Sequence, residues 1–171
     1  MNLIVILFGN NDQFDPSSLY KLLLSVHSLM RYLAIIVLIW AILAAYRAGK
    51  NNTSFLGKVK KPALFTIIVI DIQFLIGAYL WIVRFVSSSE QFKKLKRLFV
   101  EPNERYIFFE HAIIMFIAIL LIHIGYTKSK KAATDNLKSR KIFVFYLIAF
   151  ILIMIAIPWP FMPQGRHLLP F

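Results

Sequence analysis

The sequence predicts an all-α membrane protein, a four-helix transmembrane bundle with up-down-up-down connections. Of its 171 residues, 59% are hydrophobic, and the mean hydropathy is +0.69. Four apolar runs reach the roughly 20 residues that a helix needs to cross a bilayer. Together they fill most of the chain, so we expect residues 1–171 to form a single membrane domain in contact with the lipid bilayer.

Prolines mark the ends of the predicted spans. Pro16, Pro62 and Pro102 precede or open the first three, where the N–H group that proline lacks has no helical partner anyway. Pro158 and Pro160 end the fourth span, because proline cannot continue a helix. Short connections between successive spans are typical of an up-down bundle. The predicted spans are approximately 19–46, 63–86, 106–126 and 142–157.

The formal net charge is +12, and lysine and arginine concentrate between the spans. Membrane proteins carry such residues mainly in their cytoplasmic loops. We therefore expect the first and third connections in the cytoplasm and both termini outside, with no nucleic acid as a partner. The basic residues around these two connections are Arg47, Lys50, Lys58, Lys60, Lys61, Lys128, Lys130, Lys131, Lys138, Arg140 and Lys141.

The chain contains no cysteine, which restricts the chemistry available to it. Disulfides, thiolate metal ligands, cysteine-held iron–sulfur clusters and covalently attached c-type haem are excluded. A metal or haem in this protein must be held by other side chains.

Two histidines fall at matching depths on the first and third spans, which run in the same direction. At about 1.5 Å per residue, His27 lies roughly 10 Å and His111 roughly 8 Å below the outer ends of their spans. Bundles hold cofactors with side chains from facing helices. We therefore expect His27 and His111 to be the axial metal ligands of one haem b, each about 2 Å from the iron. The alternative is that each histidine only hydrogen-bonds a neighbouring helix.

Arg31 lies four residues after His27, on the same face of the first span. A charge at this depth needs a partner. We expect that partner to be Asp71, Glu110 or a haem propionate. The alternative is a salt bridge that only holds the bundle together.

Gln73, Gly77 and Arg84 share one stripe of the second span. A glycine lets another helix or a flat macrocycle approach closely, and Arg84, level with the histidines, suits a propionate. Packing for Gly77 and snorkelling to the headgroups for Arg84 remain the alternatives.

Glu110 and His123 are the remaining ionisable groups of the third span. Glu110 points about 100° away from His111, so we expect it to meet Arg31, Arg84 or the interface, or to carry protons for a quinol site. No second histidine lies at the level of His123, which argues against a second haem there. We expect His123 to cap the helix or to handle protons.

Several short motifs distributed over nearly the whole chain carry a family resemblance. They are His27-Ser28-x-x-Arg31-Tyr32, Asp71-Ile72-Gln73-Phe74-Leu75-Ile76-Gly77, Arg105-Tyr106 with Glu110-His111, His123-Ile124-Gly125, Ile157-Pro158-Trp159-Pro160-Phe161 and Arg166. In this combination the chain resembles small four-helix membrane b-type cytochromes of Bacteroidota and related bacteria. The resemblance implies haem binding, electron transfer and the bacterial inner membrane, with Arg166 among the cofactor-binding residues. It departs from di-haem transmembrane cytochromes, which carry two histidine pairs.

We therefore expect an electron carrier, or a subunit of an oxidoreductase complex, rather than a stand-alone enzyme. It would exchange electrons with the quinone pool or with a membrane or periplasmic redox protein, as a homo- or hetero-oligomer or alone. The first alternative is a non-catalytic accessory subunit of a larger membrane complex. The second is a quinone- or metal-dependent enzyme that uses His27, Glu110, His111 and His167.

Overall fold

A computed structural model describes residues 16–86 and 100–163. This part of the chain is all-α, and four of its helices are long and apolar enough to span a membrane, which confirms the predicted fold class. A one-turn helix precedes the second long helix. Another one-turn helix precedes the third, and a π-helical turn connects these two. The elements are α1 (Pro16–Asn51), the turn Phe55–Lys58, α2 (Lys60–Val86), the turn Pro102–Arg105, the π-helical turn Tyr106–His111, α3 (Ala112–Lys130) and α4 (Asp135–Ala156).

The helices extend beyond the predicted spans, because hydropathy alone does not register their charged ends. α1 continues to Asn51, and Asn52 then adopts a left-handed φ of 49°, a common way to end a helix. α4 begins at Asp135 rather than at 142. Thr134 caps it, since its hydroxyl oxygen accepts a hydrogen bond from the backbone N–H of Leu137 at 3.3 Å. Three basic residues predicted to lie between the third and fourth spans therefore belong to α4: Lys138, Arg140 and Lys141.

The four helices pack unequally. α1 packs extensively on α2 and α4, and α3 packs on α4, whereas α2 and α3 make few contacts with each other. Hydroxyl groups link the packed helices: Thr66 on α2 donates to the carbonyl of Val37 on α1 at 3.0 Å, and Tyr146 on α4 donates to that of Ala63 on α2 at 3.1 Å. The seam between α2 and α3 is therefore the least closed side of the bundle.

The two short connections meet at one end of the bundle, which we call the basic end because of its lysines and arginines. A carboxylate oxygen of Asp135 accepts a hydrogen bond from the backbone N–H of Phe55 at 3.1 Å. The amide of Asn136 donates to the carbonyl of Gly49 and to the side chain of Asn52, both at 2.8 Å. These bonds fix the start of α4 to the connection between α1 and α2.

The buried core lies mainly in the half of the bundle next to the basic end. Small side chains allow helix axes to approach closely there. On α1, four alanines are at most 5% exposed: Ala34, Ala41, Ala45 and Ala48. Ala63 on α2, Ala118 on α3 and Ala149 on α4 are fully buried in the same cluster. Large apolar side chains cover the outside of the helices, as expected for surfaces that contact lipid.

Candidate functional site

The opposite half of the bundle, which we call the open end, has few buried side chains. It comprises residues 18–33 of α1, 71–86 of α2 and 106–117 before and within α3. Only Leu80, Tyr106 and Phe108 are buried among these described side chains. Protein interiors are normally close-packed. The residues singled out in the sequence lie within these segments: His27, Arg31, Gln73, Gly77, Arg84, Glu110 and His111.

Two of these residues on α2 contact His27 directly. A β-carbon at Gly77 would stand 3.0 Å from Cε1, 3.5 Å from Nδ1 and 3.9 Å from Nε2 of the His27 imidazole. The amide nitrogen of Gln73 donates to the backbone carbonyl of His27 at 2.9 Å. The predicted close approach at Gly77 is therefore present, and the group that approaches it is the imidazole ring of His27. Oε1 of Gln73 is buried and accepts no hydrogen bond within the described part of the chain.

His111 is held by the end of α4. Its Nδ1 lies 2.7 Å from the backbone carbonyl oxygen of Ala156, and the Tyr106 hydroxyl donates to the same oxygen at 3.0 Å. A carbonyl only accepts hydrogen bonds, so Nδ1 of His111 carries the hydrogen. In the neutral ring, Nε2 is then the nitrogen with the lone pair.

Prolines after α4 make this arrangement available. In a continuing helix, the carbonyls of Met154 and Ala156 would accept from residues 158 and 160, but Pro158 and Pro160 have no N–H group. Both carbonyls find side-chain donors instead. Trp159 Nε1 donates to Met154 at 2.9 Å, while Ala156 receives His111 and Tyr106. The two prolines are thus the sequence feature that leaves the Ala156 carbonyl available to His111.

The π-helical turn Tyr106–His111 sets the direction of the Glu110 and His111 side chains. Such turns interrupt α-helices at single places and are frequent at functional sites. Trp81 of α2 fixes the turn by donating Nε1 to the carbonyl of Phe108 at 3.1 Å. Nothing in the sequence pattern predicts this turn.

Two arginines border the open end, each beside aromatic rings. Arg31 donates from Nη2 to the Tyr32 hydroxyl at 2.8 Å, and its guanidinium carbon lies 6.0 Å from the ring centre of Trp159. The guanidinium carbon of Arg84 lies 5.7 Å from the ring centre of Phe108. These distances are in the range of cation–π contacts.

The two carboxylates expected near Arg31 pair elsewhere. Asp71 accepts from Nε2 of His123 at 2.9 Å, and Glu110 accepts from Nε of Arg105 at 2.9 Å. The expectation that Asp71 or Glu110 meets Arg31 is therefore corrected. Asp71 is instead the partner of His123, which links α2 to α3.

Arg166 and His167 lie outside the described residues. Within residues 16–86 and 100–163, no three histidine, cysteine, aspartate or glutamate side chains come together as a metal site. Axial haem ligation requires only two protein ligands, so it does not depend on such a group.

Comparison of the chain with protein-family models, curated proteins and solved structures finds no match. The fold itself defines the class: this is a multi-pass membrane protein, and residues 16–86 and 100–163 contain four helices long and apolar enough to span a membrane and contact lipid.

Proposed function

We propose that the protein is a membrane electron-transfer protein that binds one haem b between His27 and His111. The observation that carries the proposal is the open end, which contains both histidines and few buried side chains. A bundle that holds no cofactor fills its interior with side chains, as this one does near the basic end. A flat, largely apolar group bound at the open end would account for the difference in burial between the two halves.

The side chains around His111 favour metal ligation. Histidines that bind a metal usually donate their other ring N–H to a carbonyl or carboxylate, which fixes the tautomer and the ring orientation. The bond from Nδ1 to Ala156 has this form and places the lone pair of the neutral ring on Nε2, the nitrogen that would bind the iron. His27 rests its ring on Gly77, where any larger residue would meet the ring.

The arginines suit the carboxylates of the cofactor. Guanidinium groups bind carboxylates through paired, charge-assisted hydrogen bonds. Arg31 and Arg84 border the open end and would hold the propionates, with Arg166 a further proposed contact. Glu110 is paired with Arg105, so we assign it no contact with the cofactor.

When bound, haem b with two histidine ligands would carry single electrons. Its iron would have no open coordination position for oxygen, so the group would serve electron transfer. The protein would exchange electrons with the quinone pool or with a membrane or periplasmic redox partner. The family resemblance implies the bacterial inner membrane, and the distribution of lysine and arginine supports an orientation with the basic end in the cytoplasm and both termini outside.

Histidine variants test the assignment. We expect His27→Ala and His111→Ala each to abolish the Soret absorbance of the purified protein, while the variants still insert into membranes. His123→Phe is the matched control, since it removes a histidine of α3 outside the open end, and it should retain haem. A normal bis-imidazole spectrum in both alanine variants would rule out the proposed ligands.

A further inference from the structure

We propose that Asp71 and His123, at the seam between α2 and α3, form a binding site for the headgroup of a lipid-soluble quinol or quinone. The inference rests on the proposed function, because it names the place where the quinone pool would meet this protein. Neither residue belongs to the haem site proposed at the open end.

The pair crosses between two helices that otherwise make few contacts. Nε2 of His123 and Oδ1 of Asp71 are 2.9 Å apart, and 43% of each side chain stays accessible. Ionisable groups within spans are costly and mark ligand or proton pathways. A pair that served only packing would gain from burial against its neighbours, whereas this one remains open to the membrane.

The direction of the hydrogen bond defines what the pair can bind. A carboxylate only accepts hydrogen bonds, so Nε2 of His123 carries the hydrogen, and in the neutral ring Nδ1 is the acceptor. A quinol hydroxyl can donate to this nitrogen. A quinone carbonyl can accept from Nδ1 when the ring carries a hydrogen on both nitrogens.

An aromatic contact on the same seam provides the surface for a flat ring. Phe74 lies three residues after Asp71 on α2, a rise of about 4.5 Å. Its ring centre is 6.3 Å from that of Phe116 on α3, and the two residues are 39% and 49% exposed. Aromatic rings prefer offset or edge contacts at such separations. A hydrogen-bonding pair beside an aromatic pair, open to lipid, matches an aromatic headgroup with polar oxygens and an apolar tail.

The site also lies close to the proposed haem site along α2. Asp71 precedes Gly77 by six residues, a rise of about 9 Å, and Gly77 carries the His27 ring. One helix therefore connects the proposed headgroup site with the residue that contacts a proposed axial ligand.

Quinone binding to the full chain in lipid nanodiscs tests the inference without depending on haem. The probe is a benzoquinone with a ten-carbon tail, and partition into empty nanodiscs gives the baseline. We expect saturable binding to the unaltered protein. Asp71→Asn and His123→Phe should each weaken it by about tenfold, the loss expected for one charge-assisted hydrogen bond. Thr127→Val changes an exposed polar residue one turn from His123 and should bind normally.

Circular dichroism of each variant establishes that it is folded, and the two substitutions on different helices are independent tests. Absence of saturable binding above the baseline, or unaltered binding in both variants, would overturn the site. Burial of this seam between two copies of the chain, without quinone binding, would also overturn it. A colourless protein that binds quinone through Asp71 and His123 would refute the haem proposal while supporting this site. A protein that contains haem, but whose Asp71→Asn and His123→Phe variants bind quinone normally, would support the haem proposal and refute this site.

Discussion

The imidazole of His27 lies directly against the backbone of Gly77, so that a β-carbon at residue 77 would stand 3.0 Å from Cε1 of the ring. Because glycine has no side chain, the His27 ring of α1 packs against the backbone of α2 without being displaced. Gly77, which the sequence predicts to allow close approach, therefore contacts His27, the histidine proposed as a haem ligand.

Gly77→Ala should therefore displace the His27 ring by a few tenths of an ångström or more. Overpacking typically costs about 1–3 kcal/mol, against a gain of up to about 1 kcal/mol from replacing glycine in a helix. We expect a net loss of stability and a lowered haem content, measured by unfolding in detergent and by Soret absorbance.

Gly49→Ala is the control for this substitution, because a β-carbon there meets nothing within 4 Å. It should leave the spectrum unaltered and keep or raise stability. Equal behaviour of Gly77→Ala and Gly49→Ala would show that the contact with His27 has no consequence.

Tyr106→Phe should separate stability from ligation at the end of α4. The hydroxyl donates to the same Ala156 carbonyl as His111, and the side chain is buried. Its removal should cost about 1 kcal/mol, measured as a shift of the unfolding midpoint, with haem retained because His111 keeps its bond. Loss of haem from this variant would mean that Tyr106, rather than Ala156 alone, positions His111.

Glu110→Gln should have little effect on either property. The Arg105–Glu110 pair is about half-exposed, with side-chain accessibilities of 50% and 43%. Such pairs contribute roughly 0–1 kcal/mol, and Glu110 contacts no ligand in the proposed site. A loss of haem comparable to that of His111→Ala would place Glu110 in the cofactor site after all.

Single introduced cysteines should report the orientation, because the natural chain has none. Ser54 and Ala133 lie at the basic end, Asn103 lies on the opposite side, and all three are exposed. In intact spheroplasts, an impermeant maleimide should label Asn103→Cys but leave Ser54→Cys and Ala133→Cys unlabelled until the membrane is opened. The opposite pattern would reverse the proposed orientation.

The architecture follows from sequence because it depends on local properties. Apolar length predicts four spans, and the prolines near their ends predict where they stop or start. The fourth helix begins earlier than its hydropathy indicates, since Thr134 and Asp135 provide a helix start that precedes the apolar residues. Lysine and arginine then extend along the exposed first turns of α4.

The side-chain pairs were harder to predict because they depend on helix rotation and on the π-helical turn. α-Helical spacing pairs residues three or four apart, so it does not bring Arg105 to Glu110, five residues away. Hydrogen bonds in a π-helix span five residues, and the turn Tyr106–His111 makes this contact. The Asp71–His123 pair depends on how α2 and α3 face each other, which spacing within either helix does not determine.

The dithionite-reduced minus air-oxidised visible spectrum of the purified protein, with pyridine haemochrome quantitation, tests the central claim most directly. Cells supplied with haem should yield a coloured protein with the sharp α band of six-coordinate haem b and about one haem per chain. A featureless spectrum from folded protein prepared in this way would contradict the account and leave an accessory subunit as the better description.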